Sequence, residues 1–74
     1  MAYSQKIIDT VASSPKTIGN QLGRWAIHLD FPVTKIAEAL GVTRQTVYNW
    51  FKGVSNPRPE LQRDIEQFIT KIGR

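Results

Sequence analysis

Between Thr43 and Gly53 the chain reads TRQTVYNWFKG, and five of these side chains can make directional polar contacts: Arg44, Gln45, Tyr48, Asn49 and Lys52. With Arg44 set to 0°, a helix turning about 100° per residue puts Tyr48, Lys52, Gln45 and Asn49 at about 40°, 80°, 100° and 140°. Val47, Trp50 and Phe51 fall at about 300°, 240° and 340°. One face thus carries three large apolar groups that can lock the helix to a domain. The other carries a guanidinium, two amides, a phenol and an ammonium. An arginine can donate two hydrogen bonds to the O6 and N7 edge of guanine, and an amide can pair with the N6 and N7 edge of adenine, each worth about 1 to 3 kcal/mol of discrimination. A merely solvated helix face would usually include an acid, yet none occurs between Glu38 and Glu60, where Arg44, Lys52 and Arg58 all lie.

The whole chain is biased the same way, with 10 Lys and Arg against 6 Asp and Glu and a formal charge of +4. That balance suits an anionic partner, although a solvated surface with a chance bias gives the same composition. At 74 residues the chain makes one small domain, of a size whose core supplies roughly 3 to 5 kcal/mol, so dimerisation or ligand binding would add useful stability. It has no cysteine and one histidine, His28, so neither a disulfide framework nor a metal site is expected to staple it. No apolar run approaches the roughly 20 residues of a membrane span, and no stretch reads as a signal peptide, so a cytoplasmic protein is expected.

The elements that must position the polar face follow from caps and periodicity. Ser4 to Ser13 has Ile7, Ile8 and Val11 at helical spacing behind a Ser4 cap. Ser14-Pro15 reads as a cap with a first-turn proline, opening a helix to about Asp30. Its apolar stripe is Ile18, Leu22, Trp25, Ala26 and Leu29, which places Trp25 in the core and His28 beside it in a structural role. Gly19 and Gly23 each cost about 1 kcal/mol against alanine in a helix, but their spacing permits close approach of another helix. Phe31-Pro32 breaks that helix and Val33 to Leu40 forms the next, with Val33, Ile36, Ala37 and Leu40 inward. Gly41 suits a left-handed end, and Thr43 caps the helix with the polar face. Beyond Gly53, Val54 to Arg58 is a loop and Pro59 opens a last helix with Leu61, Ile65, Phe68, Ile69 and Ile72 on one side. Glu60 near its start and Lys71 and Arg74 near its end suit the helix dipole.

Ala37, Gly41, Val47 and Trp50, with Ile36, Leu40 and Val42 beside them, resemble the spacing of the helix-turn-helix in the phage repressor and Cro family. The specific resemblance covers about residues 33 to 53, and a looser one extends from about Lys16 to Ile72. It implies an all-α, lambda repressor-like domain of four to five helices spanning residues 1–74. It also implies that Arg44, Gln45 and Asn49, with Tyr48, read base edges, while Thr43, Thr46 and Lys52 touch the phosphate backbone. Tyr48 can equally meet a thymine methyl or a phosphate, or be a surface aromatic. Thr34 can present its backbone N–H to a phosphate at a helix start, and Asn56 and Arg58 in the following loop can reach another. The chain departs from the family at Val33, where many relatives place a phosphate-binding glutamine. VYNWFKG also resembles the Trp-Phe signature of a homeodomain recognition helix. The position two residues after Phe51, where an adenine-reading asparagine would stand, is Gly53, and on that ground the resemblance is set aside.

The expected function is therefore a sequence-specific double-stranded DNA-binding regulator of transcription, a repressor or Cro-like protein of a bacterial or phage-infected cell, acting as a homodimer without a small-molecule cofactor. An architectural or recombination accessory factor, or a protein-binding module such as a host-enzyme inhibitor, uses the same face differently. Catalysis is not expected. Tyr48 near arginines suggests a tyrosine recombinase, but that chemistry needs a larger catalytic domain, and there is no Gly-rich phosphate loop or carboxylate cluster.

Overall fold

A computed structural model describes residues 3–72. Arg74 and the Ile72 side chain, expected near the end of the last helix, lie outside the described residues. The domain is all-α, with α1 (Gln5–Ala12), α2 (Ile18–His28), α3 (Val33–Leu40), α4 (Arg44–Phe51) and α5 (Pro59–Ile72). No helix among the described residues is long and apolar enough to cross a membrane.

Side-chain caps start three of these helices. Ser4 accepts from the Ile7 N–H, Thr17 from Asn20 and Thr43 from Thr46. The α2 start thus moves from Ser14-Pro15 to Thr17-Ile18, because Thr17 has both the extended backbone and the hydroxyl that a cap needs. Three helices also end alike. After α2, α3 and α4, a left-handed residue lets the next N–H bond back to a carbonyl in the last turn: Phe31 to Ala26, Val42 to Ala37 and Val54 to Asn49. Those residues are Asp30, Gly41 and Gly53, with φ of 54°, 69° and 72°. Space around Gly41 is open, since a Cβ there would meet nothing within 4 Å. Gly41→Ala is therefore expected to cost only the backbone term, about 1 to 2 kcal/mol in a urea denaturation series. A neutral result would mean that φ relaxes out of the left-handed region.

The helices close around one core. Val11, Leu22, Ile36, Val47, Phe51 and Ile65 are fully buried. α3 and α4 form the helix-turn-helix, α2 packs across α4, α5 lies against α2 and α3, and α1 against α2. α2 and α4 approach each other closely. A Cβ built at Gly19 would stand 2.6 Å from Trp50 Cβ, and one built at Gly23 would stand 2.7 Å from Phe51 Cγ.

The same approach corrects the expectation for Trp25, which is 39% exposed, with Leu29 at 42%. With Gly19 at 0°, Leu22, Ala26 and Gly23 fall at about 300°, 340° and 40°, so the glycines lie inside the buried face rather than interrupting it. Trp25, at about 240°, is pushed to the rim. An apolar stripe counted without its glycines shares Leu22 and Ala26 with the buried face but is displaced toward Trp25 and Leu29. The Trp25 ring lies edge-on to that of exposed His28, at a centroid distance of 6.2 Å.

Candidate nucleic-acid interface

Val47, Trp50 and Phe51 are buried and fix α4 by its inner side. Arg44 and Gln45 are exposed, whereas Tyr48, Asn49 and Lys52 are half-buried. Arg44, Gln45, Tyr48, Asn49 and Lys52 thus share one side, graded from the open start of the helix to its seated end, with Thr46 off that arc.

Gln45 Nε2 donates to Asn49 Oδ1 at 3.1 Å. That bond orients the two amides together and leaves the Asn49 NH2 group, the Gln45 oxygen and one Gln45 N–H as further donors and acceptors. Tyr48 is more anchored than its position on the polar arc suggests. Its ring meets Phe51 at 6.1 Å and Tyr3 at 6.5 Å, both edge-on. Tyr3 is itself buried and donates its hydroxyl to the Phe31 carbonyl at 2.6 Å. Burial first, then nearby Tyr48 and Asp30, push the Tyr3 phenol well above its ordinary range, so it stays protonated as a donor.

At the helix start the Thr43 hydroxyl accepts from the Thr46 N–H and lies 2.9 Å from the Thr46 hydroxyl. Thr43 is exposed and Thr46 half-buried, so Thr43 is the more accessible of the two. Thr34 is exposed in the first turn of α3, whose start has no side-chain cap. The loop after α4 is tied at one end by Val54 and Ser55 donating to the Asn49 carbonyl, and at the other by Gln62 donating to the Pro57 carbonyl. Pro57 is buried, with Asn56 and Arg58 exposed on either side of it.

One supporting group has no counterpart in the sequence reading. Asn20 is fully buried and donates to the carbonyls of Val11 at 3.0 Å and Phe51 at 2.8 Å. Its Oδ1 accepts from Arg24 Nε at 2.7 Å, and Arg24 also donates to the Ala12 carbonyl. The group joins the C-terminal ends of α1 and α4 through α2. In sequence, Asn20 is an ordinary polar residue beside a cap, and no spacing marks it.

The family model of the homeodomain-like domain matches residues 20–60, more than half of the chain. The chain belongs to the homeodomain-like family. No curated protein and no solved structure matches it. The match supports a helix-turn-helix DNA-binding family and is not specific to the phage repressor and Cro type. It also restores, at family level, the likeness set aside at Gly53. That objection concerned a single adenine-reading asparagine, and it stands at its own position. Gly53 adopts φ 72° to close α4 and carries no side chain to read with. The amides that α4 itself carries are Gln45 and Asn49.

Proposed function

We propose that this homeodomain-like domain is a sequence-specific double-stranded DNA-binding regulator of transcription, of the repressor or Cro-like kind, that reads the major groove with α4. The observation that carries this reading is the division of α4. Its inner side is sealed by Val47, Trp50 and Phe51, while Arg44, Gln45 and Asn49 share an accessible side in an acid-free stretch. Arg44 and the linked amides read base edges, with Tyr48 beside them. Thr34, Thr43, Thr46, Lys52, Asn56 and Arg58 serve the phosphates. One copy carries a single helix of this kind, α4, and reading two successive major-groove faces about 34 Å apart takes two. The homodimer on a pseudo-palindromic site supplies the second helix.

Selecting duplexes from a random library tests this reading, and a palindromic consensus is the expected result. On the selected site, Arg44→Ala should lose about 1 to 3 kcal/mol and relax preference at a particular base pair. Lys52→Ala should weaken all sequences alike and flatten the salt dependence by about one unit of slope. An equal loss for Arg44→Ala on selected and random duplex removes Arg44 from base reading.

A further inference from the structure

A second acid-free stretch lies between Asp9 and Asp30, and it contains two cations, Lys16 and Arg24. Arg24 is committed inside the domain, donating to Asn20 Oδ1 and to the Ala12 carbonyl. Lys16 is exposed. Its backbone is mounted on α4 from both sides. Before it, Pro15 packs on Gly53, since a Cβ at Gly53 would lie 3.2 Å from Pro15 Cδ. After it, Thr17 donates its N–H to the Pro15 carbonyl and caps α2, whose Gly19 sits directly on Trp50. The two acid-free stretches therefore meet at the C-terminal end of α4, where Lys52 forms the helix cap.

The geometry points to Lys16 as a further DNA-backbone contact, acting with Lys52 as a pair of cations on a phosphate strand beside the end of the recognition helix. The inference rests on the duplex-binding reading above and extends it to a different element, the connection between α1 and α2. A lysine ammonium is a compact charge without planar donor geometry, so it contributes affinity and salt dependence, not base choice. Because its backbone is held through Pro15 and Thr17, little of that gain is lost in ordering the loop.

The test is fluorescence anisotropy of a random-sequence duplex titrated with the full chain across a salt series. Lys16→Gln is compared with wild type and with Lys71→Gln, a control in the last turn of α5, a different element. Lys16→Gln should lower affinity several-fold and reduce the slope of log affinity against log salt by about one, by the same factor on a selected site, with Lys71→Gln unchanged. Parallel salt slopes for wild type and Lys16→Gln overturn the Lys16 contact alone, while duplex binding stands. A wild-type chain that shows no duplex binding even at low salt overturns the duplex reading itself, and the Lys16 contact with it. A Lys16→Gln loss on the selected site but not on random duplex overturns the assignment to phosphate.

Discussion

Gly19→Ala is expected to destabilise the domain by about 2 kcal/mol or more, although alanine is the better helix former by about 1 kcal/mol. The sign is decided by what the new methyl would meet. It would stand 2.6 Å from Trp50 Cβ, 2.8 Å from the Trp50 carbonyl oxygen and 3.0 Å from its carbon. Ordinary carbon contacts lie near 3.5 to 4.0 Å, so α2 and α4 would have to part by about 1 Å. None of these atoms can escape by a side-chain rotation, since two are backbone and the third is fixed to it. Gly23→Ala meets the Phe51 ring at 2.7 Å and Phe51 Cβ at 3.0 Å, in a side chain with no exposed surface. It should cost a similar amount. For a domain whose core supplies roughly 3 to 5 kcal/mol, either change removes a large share of stability. The urea midpoint of each variant is the readout. A raised midpoint for Gly19→Ala would mean that helix propensity outweighs contact, and that the two helices do not meet there.

The same glycines show where sequence was informative. α3 and α4 were legible because each is marked locally: Pro32 before the first, Gly41 and Thr43 between them, and three bulky apolar groups on one arc of the second. Pro59 and the stripe from Leu61 to Ile69 marked α5 in the same way. The polar face was legible because a helix forces the spacing of Arg44, Gln45 and Asn49 regardless of what else the fold does. What failed was long-range. A stripe of large apolar residues points Trp25 into the core, yet it is 39% exposed. The true buried side is set by how near α4 can come, which the absence of a side chain at Gly19 and Gly23 determines. Tyr3 and Asn20 were missed for a related reason. Their partners, the carbonyls of Phe31 and Phe51, are 28 and 31 residues away along the chain, and no local spacing announces a bond across that distance.

Asn20→Ala is the second large effect, expected at about 3 kcal/mol. Both carbonyls that Asn20 serves lose a donor. The Val11 carbonyl keeps the Ser14 N–H at 3.2 Å, whereas the Phe51 carbonyl, at the C-terminal end of α4, relies on the Asn20 amide. Leaving a buried acceptor unpaired costs about 1 to 3 kcal/mol, and a small cavity adds to it. The orientation of the amide is fixed by chemistry. Two carbonyl oxygens can only accept and the Arg24 guanidinium can only donate, so Nδ2 faces the former and Oδ1 the latter. Asn20→Asp therefore makes a sharper comparison. It keeps the acceptor for Arg24 but sets an oxygen against the two carbonyls, so at neutral pH it should cost at least as much as alanine. Arg24→Ala, which removes a half-exposed partner, should cost only about 1 kcal/mol, and the Asn20→Ala, Arg24→Ala double variant less than the sum of the two. Urea midpoints of the four proteins measure this directly. If Asn20→Asp proves clearly milder than Asn20→Ala, the Arg24 pairing carries the group. The tie from α2 to the end of α4 would then contribute little to holding α4.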